Sequence, residues 1–250
     1  MQSMSLIDHL EELRRRVAWS LLFFLGGVVV AFLYRPFFLK ITTYPHEWAM
    51  NAAGLSPSLY VFSYQDGFVS QLKICLVVGF ILSFPFILYH LLRFVMAGLF
   101  LEEQRKLLYV YLPASLILFS CGALFSYFFL IPYGLRFLIL FGSQVGLNPN
   151  IGLSSYVSLF ILLIVVAGLM FELPLVMALL VRIGLLSAND WKQKRRHAIL
   201  TIFIVSAIVT PTPDPFNQCL MAGPLIVLYE VGCLMSSFVE KRLKFSSVES

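Results

Sequence analysis

The chain has 250 residues, of which 60% are hydrophobic and only 12% are charged, and its mean hydropathy is +0.88. This composition excludes a soluble domain, and 24 Phe residues beside only 13 acidic residues exclude a disordered chain. Apolar runs far longer than about ten residues exclude an outer-membrane barrel, so the chain is expected to cross a membrane as helices.

Six apolar segments approach the roughly 20 residues that a membrane-spanning helix needs. The run after Arg16 is close to span length and lacks a small-residue cleavage site, so we interpret it as a first helix and not as a cleaved signal peptide. The sequence therefore predicts a single transmembrane domain, residues 1–250, with helices at about 17–34, 68–92, 107–131, 156–181, 198–210 and 218–238.

The positive charges lie mainly on one side of this arrangement. Fourteen of the 18 Lys and Arg residues flank the N-terminus, the second and fourth connections and the C-terminal tail. Three lie on the opposite side, and Lys73 lies just inside the second helix. Because cytoplasmic segments of membrane proteins are enriched in Lys and Arg, we predict that both termini are cytoplasmic.

Two features predict an irregular bundle. The fifth helix, 198–210, has 13 residues, which is about 20 Å of helix against a hydrocarbon core of about 30 Å. Proline also occurs inside four predicted spans, where it removes a backbone donor and kinks the helix. We therefore expect an all-α polytopic membrane protein with six transmembrane helices in a kinked concave bundle. The prolines are Pro85, Pro113, Pro174 and Pro224.

Glu172 lies nine residues before Val181, which places it roughly 14 Å inside the fourth helix. A carboxylate near the bilayer centre is costly unless it is paired, protonated or hydrated, so Glu172 is a candidate functional residue. The alternative is an internal hydrogen bond, to Gln218 or to a carbonyl group that Pro174 leaves without its usual donor.

Acidic residues also occur on the side that is otherwise basic. Helix capping and pairing with the neighbouring arginines can explain them, at a gain of only tenths of a kcal/mol each. The alternative is a receptor site for a cationic ligand, because carboxylates bind guanidinium groups through paired hydrogen bonds. These residues are Asp8, Glu11 and Glu12 before the first helix and Glu102 and Glu103 in the second connection.

The chain has no Walker A, H-E-x-x-H or G-x-S-x-G motif, so we predict no catalytic residue and no enzymatic activity. Its four cysteines lie in apolar stretches, without a C-x-x-C motif or a His at ligand spacing. We therefore predict neither a metal site nor a disulfide, and we expect no cofactor and no nucleic-acid partner.

Four motifs occur in a characteristic order along the chain. They are His9–Arg14 (HLEELR), Pro85–Tyr89 followed by Phe94 and Leu99, Phe171–Pro174 (FELP), and Thr210–Asp214 (TPTPD) with Gln218. In residues, order and spacing they resemble the TatC family, the polytopic receptor subunits of the twin-arginine protein translocase. The resemblance covers nearly the whole chain and agrees with the six-helix topology.

The resemblance implies a translocase receptor and scaffold in the cytoplasmic (inner) membrane. Its implied partners are twin-arginine signal peptides of folded cargo, TatA/TatB-type single-span proteins, other copies of the chain and membrane lipids. The implied signal-peptide site consists of Glu12, Glu103, Arg14, Phe94 and Arg105. Glu102 is the alternative to Glu103, and Glu103 keeps the family spacing to Phe94 and Arg105. The implied intramembrane polar positions, which would meet partner helices, are Glu172, Gln218 and Asp214.

A proton-coupled small-solute transporter that uses Glu172 as a midplane proton site is the main alternative. Such a transporter should have polar ligands on several helices at that depth, whereas the first three helices have almost none. An intramembrane protease is a weaker alternative, because the loop serines and His90 are predicted on opposite sides of the membrane.

Overall fold

The computed structural model describes the backbone of residues 6–95, 101–143, 150–210 and 214–246, and the side chains of residues 10–95, 108–143, 150–210 and 214–243. A π-helical turn, Ser126–Leu130, joins α4 to α5. Two short strands, β1 (Leu59–Tyr60) and β2 (Ile151–Gly152), pair in parallel. The helices are α1 (Leu6–Leu33), α2 (Arg35–Ala52), α3 (Asp66–Val95), α4 (Leu101–Phe125), α5 (Ile131–Ser143), α6 (Leu153–Phe171), α7 (Leu173–Arg182), α8 (Ala188–Gln193), α9 (Arg195–Val209) and α10 (Pro215–Ser246).

Several of these helices form stretches that are long and apolar enough to cross a membrane, which confirms the predicted all-α polytopic class. In the described part of the chain there are five: Leu10–Leu33, Asp66–Val95, Leu108–Ser143, Leu153–Arg182 and Pro215–Leu243. The sixth apolar helix, α9, has 15 residues, or about 22 Å at 1.5 Å per residue. It begins three residues before the predicted 198–210 segment and is still shorter than a hydrocarbon core of about 30 Å.

Helical structure extends beyond the predicted segments. The third span continues through α5, because Pro132 occupies the second position of that helix, where its missing N–H group needs no partner. The connection between the first two spans contains α2, which the apolar-run criterion does not detect. The helix is amphipathic, with buried residues at positions i, i+4, i+7 and i+8: Thr42, His46, Ala49 and Met50.

The chain divides into two compact units. The first unit comprises Met1–Tyr44, Ser58–Ile117 and Asn150–Ile161, and the second comprises Pro45–Pro57, Leu118–Pro149 and Leu162–Ser250. Each unit has buried residues from more than one helix, so each has its own packed interior.

In the first unit, α1 packs closely along α3. A methyl group on Gly27 would lie 2.6 Å from the carbonyl oxygen of Gly79, and one on Gly79 would lie 2.5 Å from Val28 Cγ2. Small residues permit such close backbone approach between membrane helices, where packing and not water exclusion holds helices together. The rings of Phe23 and Phe86 stack on the same interface, with centroids 4.3 Å apart.

In the second unit, α10 is the helix on which the others pack. Its Gly232 lies against α7, where an added methyl group would meet Met177 Sδ at 2.5 Å. Tyr229 of α10 donates a 2.6 Å hydrogen bond to the carbonyl oxygen of Trp191 in α8. These contacts hold α7 and the basic connection around α8 against one helix.

Candidate functional site

Glu12 is largely buried, although it belongs to the polar start of α1. Its side chain is 12% exposed, and that of Arg16 is 13% exposed. Arg16 donates from Nε to Glu12 Oε1 at 2.9 Å, and its Nη2 donates to the same oxygen. Glu12 Oε2 is buried and has no hydrogen-bond partner among the described residues. The carboxylate therefore keeps one acceptor oxygen for a further donor.

The neighbouring pair, Glu11 and Arg14, lies in a different environment. Its shortest N···O distance is 3.6 Å, and the side chains are 69% and 81% exposed. A solvent-exposed pair of this kind contributes at most about 1 kcal/mol. Arg14, which the family resemblance assigns to the site, therefore lies on the exposed side of α1, and Arg16 is the arginine that contacts Glu12.

The end of α3 adds polar groups to the same unit. Arg93 donates to the hydroxyl oxygen of Tyr89 at 2.7 Å, and its guanidinium carbon lies 5.8 Å from that ring's centroid. The His90 ring lies beside Phe23 of α1 and Tyr89, with ring centroids 6.2 and 5.3 Å away. The cluster of Glu12, Arg16, Tyr89, His90 and Arg93, which we call the Glu12 cluster, thus joins α1 to α3.

Sequence reasoning did not identify Arg16, His90 and Arg93 as site residues. For Arg16 a signal was available, because Glu12 and Arg16 are four residues apart, the spacing at which oppositely charged side chains meet on a helix. Phe94, the remaining predicted residue on α3, is half-buried in the last turn of that helix.

Glu103 and Arg105 belong to the first turns of α4, and their side chains lie outside the described residues. The same holds for the alternative carboxylate, Glu102. Their assignment to the site therefore stays a prediction.

Glu172 occupies the junction between α6 and α7 in the second unit. Its N–H donates to the carbonyl oxygen of Leu169 at 3.1 Å, and its own carbonyl oxygen accepts from the N–H groups of Leu175 and Val176, each at 3.0 Å. The side chain is 9% exposed. Pro174 is in the first turn of α7, where the proline ring is compatible with a helix start. The acidic residue thus lies at a break inside the span Leu153–Arg182.

Asp214 and Gln218 lie at the start of α10, and both are used in internal contacts. Asp214 accepts from the backbone N–H of Asn217 at 2.7 Å through Oδ1 and from Asn217 Nδ2 at 3.0 Å through Oδ2. Gln218 Nε2 donates to the carbonyl oxygen of Phe203 at 3.0 Å, which joins α10 to α9. Asn217, which sequence reasoning missed, is 4% exposed.

No group of three or more His, Cys, Asp or Glu side chains within the described ranges is arranged to hold a metal ion. The four cysteines, all described, have free thiols, two buried and two exposed. The distinguishing group of the Glu12 cluster is a largely buried carboxylate whose Oε2 atom has no donor among the described residues.

Comparison with known proteins identifies relatives over nearly the whole chain. A family model described as "Sec-independent protein translocase protein (TatC)" matches residues 8–224. A protein of that name from Listeria innocua is 36% identical over 244 residues, covering 96% of this chain and 94% of the relative. A further relative, TatCy of Bacillus subtilis, is 31% identical over 250 residues, covering 98% and 93%.

A solved structure gives the same result. The crystal structure of a twin-arginine translocase receptor, TatC, superposes with a TM-score of 0.79 at 33% sequence identity, covering 92% of this chain and 99% of that chain. Identity above 30% over nearly full length on both sides indicates a shared family as well as a shared fold.

Proposed function

The chain belongs to the TatC family of Sec-independent protein translocase proteins, and we propose that it is the receptor and core scaffold of a twin-arginine translocase. In this role it binds the signal peptides of folded cargo proteins. It also recruits single-span TatA- and TatB-type proteins for export across the cytoplasmic membrane, with both of its own termini on the cytoplasmic side.

The observation that best supports this role is the half-occupied carboxylate of Glu12. Arg16 binds Oε1 and fixes the side chain, while Oε2 is buried without a partner in the described part of the chain. A buried carboxylate oxygen without a donor costs free energy, which an incoming guanidinium group recovers by hydrogen bonding. One arginine of the signal peptide therefore binds Glu12 Oε2.

The second arginine of the signal peptide binds Glu103, with Glu102 as the alternative carboxylate, on the first turns of α4. Phe94 and Arg105 shape the site beside it, and Arg14 contributes from the exposed side of α1. Two carboxylates on separate helices discriminate a pair of arginines from a single one, because both guanidinium groups must be in place for full affinity.

Partner helices contact the second unit at Glu172, with Gln218 and Asp214 near the start of α10. The position of this acidic side chain at a break inside a span supports this role, because ionisable residues within membrane segments face the bundle interior and mark functional positions. A polar contact between membrane helices contributes about 0.6 to 2 kcal/mol, enough to select a partner without binding it permanently.

Glu12→Gln tests the recognition step, with Glu11→Gln as the matched control on the exposed side of α1. A photo-crosslinkable twin-arginine signal peptide is added to membranes containing each variant, and its crosslinking yield to this protein is measured. Removing one partner of a desolvated charge pair costs about 2 to 5 kcal/mol, so the Glu12→Gln yield should fall by at least tenfold while Glu11→Gln retains the wild-type yield. Equal yields in both variants would show that Glu12 does not bind the peptide.

A further inference from the structure

We propose that the second unit binds one anionic phospholipid, with an acyl chain in a cleft between α6–α7 and α9 and the phosphate beside Trp191 and Lys194. The site is separate from the Glu12 cluster and from the recognition of signal peptides.

The cleft has a volume of about 560 Å³, and its lining is almost entirely apolar. Its floor is buried, since Met177, Ile202 and Tyr229 are 1%, 7% and 3% exposed. Its rim is open, since Leu169 and Val176 are each about half exposed. A cleft with a buried floor and an open rim, inside a membrane-spanning segment, faces hydrocarbon and not water.

The cleft is also long in the direction of the helices. Its lining extends from Val166 in α6 to Val176 in α7, and on α9 from Ala198 to Ile202. Ten residues of the α6–α7 wall correspond to about 15 Å, and the four residues from Ala198 to Ile202 on α9 to about 6 Å, so the cleft accommodates one segment of an extended chain along its longer wall. An acyl chain has this shape, and it is the most abundant apolar group in the surroundings of the protein.

One end of the cleft has a polar group without a partner. Trp191 lines the cleft, and its Nε1 atom is buried without a hydrogen-bond acceptor among the described residues. The hydrogen bond from Tyr229 to the Trp191 carbonyl oxygen holds this part of α8 against α10. A buried N–H donor without an acceptor is costly, and an acceptor oxygen supplied by a ligand removes that cost.

Lys194 places a positive charge at the same end. It follows Trp191 by three residues and precedes Ala198 by four, and the backbone hydrogen bond from Ala198 N–H to the Lys194 carbonyl oxygen is 2.9 Å. Helical spacing therefore puts Lys194 on the face that carries Ala198 and Thr201, both of which line the cleft. Its side chain is exposed and makes no ion pair among the described residues.

The acidic groups nearby are already occupied. Glu230 is paired with Arg195 at 2.5 Å, and Asp190 accepts hydrogen bonds from the backbone N–H and the hydroxyl group of Ser187. The donors to Asp190 are uncharged, so its carboxylate keeps its charge, but the connection 182–197 carries five Lys and Arg residues against this one acid and its net charge is positive. A basic mouth above an apolar cleft matches a phospholipid with an anionic headgroup, and a zwitterionic headgroup fits it less well.

The test measures lipid binding to the purified full-length protein by native mass spectrometry after delipidation in detergent. The probes are palmitoyl-oleoyl phosphatidylglycerol and phosphatidylcholine with the same chains. We expect phosphatidylglycerol to bind more tightly, and Lys194→Gln to weaken its binding by about fivefold, the effect of one lysine near an anionic lipid surface. Trp191→Phe, which keeps a ring but removes the donor, should weaken it several-fold, and Ala198→Phe, which fills the cleft, should abolish it.

Arg196→Gln is the matched control. Arg196 lies two residues before Ala198, and so about 200° around α9 from the cleft face, and its removal should leave binding unchanged. Equal binding of the two lipids would overturn the anionic assignment, and unchanged phosphatidylglycerol binding in Ala198→Phe would overturn the site. If Ala198→Phe leaves lipid binding unchanged but loses a co-purifying single-span protein, the lipid assignment is overturned and a partner helix is the occupant of the cleft.

Discussion

Glu11 and Glu12 are adjacent in the chain but lie in opposite environments. The Glu11 side chain is 69% exposed, whereas that of Glu12 is 12% exposed and is held by Arg16. Solvent screens the first carboxylate, and a cation in water gains little from binding it. The second is desolvated, so both its existing ion pair and any added hydrogen bond are stronger. Local burial therefore separates the two carboxylates, and under the proposed function Glu12 is the one expected to bind a guanidinium group.

Glu172 is the residue at which a partner role and a structural role can be separated. We expect Glu172→Ala to keep the melting temperature of the isolated subunit but to reduce both co-purification of single-span partners and export. Glu172→Gln should keep partners and export, because the amide retains hydrogen-bonding capacity without charge.

Two other outcomes of the Glu172 experiment have definite meanings. A lower melting temperature of isolated Glu172→Ala would identify Glu172 as a structural residue. Loss of export in Glu172→Gln with partners still bound would favour a proton-coupled step, as in the transporter alternative.

Asp190 allows a test of pH dependence outside the spans. Hydrogen bonds from the backbone and the hydroxyl group of Ser187 lower the pKa of Asp190 from its usual value. A lowered pKa in the folded state stabilises the fold above the unfolded-state pKa, and this contribution is lost as the pH falls through the folded-state pKa.

Asp190→Asn should therefore lower the melting temperature most near pH ~7, and the difference from wild type should shrink as the pH falls to ~3. Asn189→Ser, a neighbouring change that removes no titrating group, is the control. A difference that is constant with pH would show that the Asp190 charge does not contribute.

At the level of elements, the α1–α3 pair depends on glycine for close approach. Gly26 and Gly27 are adjacent, yet a methyl group on Gly26 meets nothing within 4 Å, whereas one on Gly27 would lie 2.6 Å from the Gly79 carbonyl oxygen. The backbone of α3 cannot move aside as a flexible side chain could. The two positions therefore provide a matched pair of variants.

Gly27→Ala should destabilise the protein by about 1 to 3 kcal/mol, the usual cost of forcing extra atoms into a packed interface. Gly26→Ala should be neutral or slightly stabilising, because Ala has a higher helix propensity than Gly. Thermal unfolding of the purified variants in one detergent measures both. Equal melting temperatures for the two variants would show that α1 and α3 do not pack as closely as the structure indicates.

At the level of the whole molecule, α9 decides the topology. Five stretches of the described chain satisfy the length and hydropathy of a membrane span, and an odd number would put the termini on opposite sides. A crossing by the short α9 makes six and puts both termini on one side.

We expect fluorescent-protein fusions at the N-terminus and after Ser250 both to fluoresce in the cytoplasm. Periplasmic phosphatase fusions at the same two positions should be inactive. The physical reason is the excess of Lys and Arg on that side, which opposes translocation of these segments. A phosphatase that is active at one terminus only would mean five crossings and would show that α9 does not span.

The sequence by itself determined the membrane class, most of the spans and the family, because these depend on local composition and on motifs in order. Long apolar runs identify α1, α3, α6 and α10 without any tertiary information, and the HLEELR and FELP motifs are similarly local. Only the tertiary structure decided which side chains act together. The pairing of Glu12 with Arg16, the contact of Gly27 with Gly79, the hydrogen bond from Gln218 to Phe203 and the cleft beside Trp191 each depend on which helix faces meet. Hydropathy does not encode those faces, because a membrane helix is apolar on its lipid side as well as on its packed side.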